Sequence, residues 1–231
     1  MDGDVKTDSP GGERAGAAGT APPDDHPAGH TGLATGGRVL LVYATRHGST
    51  REVADAVAAE LRGAFAEVDV HEAPSAPPPG GYDAVVVGGP MIRGWHKEAR
   101  GYVRRHRAAL AAVPFALFVT AASLTEDGLD AVHGVPVAKD SWLVKKPRDA
   151  DRLTRKERYA LPQHYVGDIL DECAPARPRT VALFAGSLDL TTMNVLEKLF
   201  VLLVVGATPG DGRHWDFVRE WAAGLGDALS A

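Results

Sequence analysis

The sequence predicts an α/β domain: a doubly wound, five-stranded parallel sheet with helices on both faces and an insertion between strands 4 and 5. Three observations predict it. Apolar strand-like runs and amphipathic helical stretches alternate from Arg38 onward. The run Ala84-Val85-Val86-Val87-Gly88 is apolar without period-two alternation, as a parallel strand covered on both faces must be. The first strand, ending Val39-Leu40-Leu41-Val42, passes through a hydroxyl-rich turn directly into an amphipathic helix.

In chain order, residues 1–36 are rich in Gly, Pro, Ala and Asp without apolar periodicity, and predict a disordered tail because they cannot bury enough surface to offset ordering entropy. His26 and His30 in it have no helix to face them toward one metal. Residues 37–231 form the predicted domain. Its strands are expected at 38–44, 67–71, 84–88, 115–120 and 180–185, and its helices near 49–63, 97–112, 151–173, 191–205 and 213–229. The first helix gathers Val53, Val57 and Leu61 on one stripe with Ala54 and Ala58 beside it, leaving Arg51, Glu52, Asp55 and Glu60 to water. In the last helix, Trp215, Val218, Ala222 and Leu225 recur at core spacing, with Asp211 as an expected cap.

Composition bounds the function. A 45% hydrophobic chain of this length fills one core, and a formal charge of -5 argues against a general nucleic-acid binder. The single cysteine, Cys173, cannot make an internal disulfide, which fits a reducing cytoplasm. No secretory signal or membrane span is read; the longest apolar run, 199–205, is far below the ~20 residues that cross a bilayer.

The turn Tyr43-Ala44-Thr45-Arg46-His47-Gly48-Ser49-Thr50 carries the chemistry. Thr45, Ser49 and Thr50 offer hydroxyls, Gly48 lets backbone approach closely, and the helix that follows presents unpaired N–H groups and a positive dipole end to an anion. No Lys follows the glycine, so it is not a nucleotide P-loop, and it lacks G-x-G-x-x-G. The alternative is an ordinary helix start with Ser49 as N-cap and Glu52 closing a capping box. The third strand leads into Gly89-Pro90-Met91-Ile92-Arg93-Gly94-Trp95-His96, whose glycines and large planar Trp95 suit either a loop that stacks on a flat heteroaromatic ring or a loop anchored in the core by Trp95. The fourth strand ends in the small residues Ala121, Ala122 and Ser123, which leave room beside a ligand. These three loops converge on one crevice at the switch point of the sheet.

The T-x-x-G-x-T turn resembles the phosphate loop of flavodoxins. Phe184-Ala185-Gly186-Ser187-Leu188-Asp189 and the stretch from Gly210-Asp211-Gly212-Arg213-His214-Trp215 to Trp221-Ala222 resemble C-terminal signatures of flavodoxin-domain proteins similar to menaquinone-dependent protoporphyrinogen oxidase. The resemblance spans about 38–229 and implies strand order 2-1-3-4-5, noncovalent FMN and flavin redox chemistry. It implies phosphate contacts at Thr45, Arg46, His47, Gly48, Ser49 and Thr50, and ring contacts from Gly89 to His96. No catalytic acid or base is assigned, because the cofactor carries the chemistry.

The charges bear on the redox role. Arg46, His47, Arg93, His96 and Lys97 place positive groups in the expected flavin loops, which favours an oxidoreductase over a low-potential carrier unless these side chains point into solvent. The insertion, about 121–179, carries eight basic residues against four acidic ones within 139–158. It reads as a basic lid for the propionates of a porphyrinogen, as a contact with an anionic bilayer, or as a solvated face. Leu196, Leu199, Phe200, Leu203 and Val204 read as core or as a peripheral membrane contact toward a quinone. The leading expectation is an FMN-dependent oxidoreductase that takes hydride from a reduced substrate, protoporphyrinogen first, and passes electrons to a quinone or redox protein. The alternatives are a noncatalytic electron carrier and a flavin-less interaction module.

Overall fold

The computed structural model describes residues 35–92, 94–188 and 210–230. Strands β1 (Thr35–Tyr43), β2 (Phe65–Glu72), β3 (Ala84–Pro90), β4 (Phe115–Ala121) and β9 (Val181–Ala185) lie in the order β2-β1-β3-β4-β9, all pairs parallel. This is the doubly wound arrangement expected from the alternation of elements. Helices α1 (Ser49–Leu61) and α5 (Trp215–Ser230) cover one face; α2 (Lys97–Leu110) and α4 (Pro162–Cys173) cover the other.

Strand burial follows from that double coverage. In β1, Leu40 and Val42 face the α2 and α4 layer, while Val39, Leu41 and Tyr43 face α1 and α5. Every residue of β4 is buried, so no polar alternation is available to it. The α1 stripe is buried at Val53, Ala54, Val57, Ala58 and Leu61, the same residues its periodicity selects. Gly88 is required by packing: a Cβ there would lie 1.9 Å from Cζ of Phe118 on the neighbouring strand.

The insertion corrects the expected five-stranded sheet. It adds β6 (Ala131–Val132) and β7 (Val135–Lys139), an antiparallel hairpin whose outer position extends the order to β2-β1-β3-β4-β9-β7-β6. Its two-residue turn, His133-Gly134, has φ of 49° and 76°, the backbone that a tight hairpin requires. A short parallel ladder joins β5 (Leu124–Thr125) to β8 (Val144–Lys145). The expected helix 151–173 is two helices, α3 (Arg155–Tyr159) and α4, because Pro162 has no N–H to continue the first and holds Leu161 extended. Thr154 and Glu157 close a capping box on α3, and the backbone N–H of Arg148, with those of the cap, pulls the Glu157 carboxyl down to about 2.

Strand β10 (Ser187–Leu188) pairs antiparallel with β11 (Gly210–Asp211). Of the expected tail 1–36, residues 1–34 lie outside the described residues, as do Arg93, Asp189 and the helix 191–205 with Leu196, Leu199, Phe200, Leu203 and Val204, whereas Thr35 and Gly36 already belong to β1.

Candidate functional site

The turn after β1 is built by three short-range bonds. Gly48 donates its N–H to Oγ1 of Thr45 at 3.0 Å, and its carbonyl accepts from Arg51 at 3.0 Å and Glu52 at 3.4 Å. Its φ of 88° is left-handed, which a side chain would strain. Gly48, not Ser49, is the N-cap, and among the described residues no side chain caps α1. The alternative capping box is absent because Glu52 turns away to Arg213, 2.9 Å distant. The helix therefore offers its first-turn N–H groups and dipole toward the crevice. The hydroxyls of Thr50 and Thr120, both buried, lie 3.1 Å apart and tie this helix start to the end of β4.

A crevice of about 510 Å³ opens at the carboxyl ends of β1, β3, β4 and β9. From the turn it is lined by Arg46, His47, Ser49 and Thr50; from the β3 loop by Pro90, Met91 and Ile92; from the end of β4 by Thr120, Ala121 and Ala122. The insertion contributes Trp142, Leu143 and Lys145, and the chain beyond β9 contributes Gly186, Ser187 and Gly210–Gly212.

Other residues expected at the site sit elsewhere. Thr45 and Gly48 shape the turn without lining the crevice. Ser123 lies past its edge. Gly89 is inside β3, where a Cβ would meet Cβ of Ala99 and Nε1 of Trp95, each at 3.1 Å. Trp95 is only 4% exposed and packs in the α2 and α4 layer. With Gly94 it lines a second cavity of about 490 Å³ beside α2 and α4. A ring-stacking role for Trp95 is thus corrected: its indole is the largest apolar group of the loop, and burial wins over exposure. His96 is the N-cap of α2, its Nδ1 accepting from the N–H of Glu98 at 3.4 Å, and burial pushes its imidazole below the ordinary value. Lys97 begins α2 and does not line the crevice.

The aromatic group at the crevice is Trp142, 64% exposed, which sequence reasoning missed. Its only sequence signal is an aromatic residue within a long insertion. Its ring lies flat on His214, centroids 4.1 Å apart and planes 2° from parallel. Both are held by Asp140, which is fully buried and accepts from the N–H of Trp142 at 2.9 Å, from that of Ala185 at 3.2 Å, and contacts Nδ1 of His214 at 3.1 Å. One carboxylate so joins the insertion, the end of β9 and the segment before α5. Asp211, expected to cap α5, binds Arg213 instead. Among the eight basic residues of 139–158, Lys139 is paired with Asp127 at 3.0 Å; the other seven are exposed.

The family model of the flavodoxin domain matches residues 40–213. No curated protein sequence matches the chain. Among solved structures, an oxidoreductase from Corynebacterium diphtheriae is similar at 13% identity and TM-score 0.44, over 85% of this chain and 98% of that one. A flavodoxin from the domain Archaea is similar at 8% identity and TM-score 0.44, over 84% and 99%. The rubredoxin oxygen:oxidoreductase of Desulfovibrio gigas is similar at 11% identity and TM-score 0.43, the match covering 84% of this chain but 36% of that protein. The flavodoxin domain binds FMN, and the residues present fit it: an uncapped helix start behind a left-handed glycine suits a phosphate, and the small Ala121, Ala122 and Gly186 leave space for a flat ring.

Proposed function

The chain belongs to the flavodoxin domain family, and from that premise we propose that it is an FMN-dependent oxidoreductase acting on an anionic, planar reduced substrate, with protoporphyrinogen IX the first candidate and a quinone as electron acceptor. The observation that carries the reading is the insertion's share of the crevice, Trp142, Leu143 and Lys145, which adds an exposed aromatic ring and a cation to its lining.

FMN supplies, when bound, a ring that accepts hydride and returns electrons to an acceptor. The polypeptide supplies position and charge. Arg46, His47, Ser49 and Thr50 would hold the phosphate at the start of α1, and the loop from Pro90 to Ile92 together with Ala121 and Ala122 would flank the ring. Of the five basic residues first expected near the ring, Arg46 and His47 line the crevice, and Lys145 joins them from the insertion. These cations face the carboxylates of Glu52 and Asp211 in the same lining, and positive charge stabilises an anionic reduced ring and attracts carboxylates on a substrate only as far as those two are offset. The exposed cations Lys146, Arg148 and Arg152 extend this charge along the insertion, which suits propionates or the surface of an anionic membrane. Among the described residues no helix is long and apolar enough to cross a membrane.

The test is direct. The purified protein is expected to show a flavin spectrum that bleaches on anaerobic addition of protoporphyrinogen and recovers with menaquinone. A bound flavin that the porphyrinogen leaves oxidised would reject this substrate. Electron delivery to a redox protein without small-molecule turnover would indicate a carrier.

A further inference from the structure

Two carboxylates line the crevice that the start of α1 faces: Glu52, in the first turn of α1, and Asp211, between Gly210 and Gly212. Left alone, they would oppose a phosphate that itself carries close to two negative charges. Both meet one guanidinium. Arg213 donates through Nε and Nη2 to the two oxygens of Asp211, each at 2.7 Å, and through Nη1 to Oε2 of Glu52 at 2.9 Å. Its plane lies over the Trp215 ring at 4.5 Å, and only 9% of its side chain is exposed. A side chain fixed in this way is already organised before a ligand arrives, and a fork of this geometry is one that Lys cannot reproduce.

The same bonds set backbone position. Asp211 Oδ1 also accepts the N–H of Arg213 at 3.1 Å, which closes the turn that follows β11. Next to it, a Cβ on Gly212 would stand 3.2 Å from the carbonyl of Gly186, so the chain runs tight against the end of β9 there. Through Glu52, Arg213 joins this turn to a helix 161 residues earlier, the one whose start faces the crevice.

Resting on the FMN reading above, we propose that Arg213 is a positioning residue that makes the crevice selective for the phosphorylated flavin. It offsets one of the two negative charges of Glu52 and Asp211 and holds the Gly210–Gly212 turn against α1. The guanidinium lies behind the two carboxylates and acts through them.

The test compares FMN with riboflavin, which lacks the phosphate, by titrating apoprotein and following flavin fluorescence. For Arg213→Gln, FMN affinity is expected to fall by about tenfold or more, with riboflavin affinity changed by less than about twofold and the FMN loss shrinking at high salt. Removing the carboxylates as well, in Glu52→Gln/Asp211→Asn/Arg213→Gln, is expected to restore FMN affinity to within about threefold of wild type. Equal weakening of both flavins in Arg213→Gln, or no recovery in the triple variant, overturns the inference while leaving the FMN reading intact. Failure of the wild-type protein to bind FMN overturns both.

Discussion

The loss of the Asp140 carboxylate is expected to cost the fold measurably, because it is fully buried and accepts from two backbone N–H groups. In Asp140→Ala the N–H of Ala185, buried at the end of β9, has no acceptor, and an unsatisfied buried donor costs ~1–3 kcal/mol. The N–H of Trp142 is nearer water and adds ~1 kcal/mol. His214 keeps 24% of its side chain exposed, so its lost contact is largely replaced by water and adds little. The sum is ~2–4 kcal/mol, which for a domain of this size lowers the melting temperature by ~5–15 °C. Asp140→Asn retains one acceptor oxygen and should cost about half as much. Urea unfolding of the two variants with Asp140→Ala/His214→Ala gives the decisive comparison, because the paired residues should show non-additive losses. A loss below ~0.5 kcal/mol for Asp140→Ala, or full additivity with His214→Ala, would refute the idea that this carboxylate latches the insertion to the C-terminal segment.

Gly88→Ala should be among the most damaging small substitutions: its Cβ would sit 1.9 Å from Phe118, beyond the ~1–3 kcal/mol of ordinary overpacking, and Phe118→Leu should rescue part of the loss in chemical denaturation. Gly48→Asp meets no steric obstacle in the open space around it, so its stability cost should stay near the ~1–2 kcal/mol of a left-handed residue, while FMN affinity measured by flavin fluorescence falls by at least about tenfold from the added negative charge. Trp142→Ala removes a ring already 64% exposed, so melting should barely move, whereas binding of the flavin or of a planar substrate should weaken by roughly 3- to 10-fold; unchanged binding of both would remove Trp142 from the site. Burial raises the Cys173 thiol from 9.0 and the Tyr165 phenol from 10.0, each to about 12. Both stay neutral in the fold while the unfolded chain ionises first, so their contribution is intact below pH 9 and is lost between pH 9 and 12, by up to ~1.4 kcal/mol per pH unit for each group; urea midpoints that stay level to pH 11 would contradict this.

What the sequence made legible was whatever depends on local period. The apolar run of β3 and the Val53, Val57, Leu61 stripe of α1 each state their own burial, and the alternation of elements states the sheet. The insertion was opaque because strands of two to five residues have no period to read, and their pairing with β9 is a tertiary fact. The break at Pro162 did carry a signal, a proline inside a helical pattern, which the surrounding periodicity masked. Trp95 and Trp142 mark the harder limit. They are the same residue type, both near the carboxyl end of the sheet, yet one is 4% and the other 64% exposed. Among the described residues the difference lies in whether a helix is close enough to cover the ring: α2 and α4 cover Trp95, while Trp142 stacks on the face of His214.

Charge is where fold and function meet in this crevice. Arg46 and Lys145 line it against Glu52 and Asp211, so the lining residues alone are balanced and would not favour an anionic reduced ring over a neutral one. Arg213, drawn in behind the two carboxylates, breaks the tie toward positive. A carrier that delivers low-potential electrons needs the reverse, because negative charge near the ring disfavours its reduced anion. The bland-looking segment before α5 thus bears on the redox role as much as the loops that line the crevice. Shifting the balance there, by Arg213→Gln, should lower the flavin midpoint potential as well as FMN affinity.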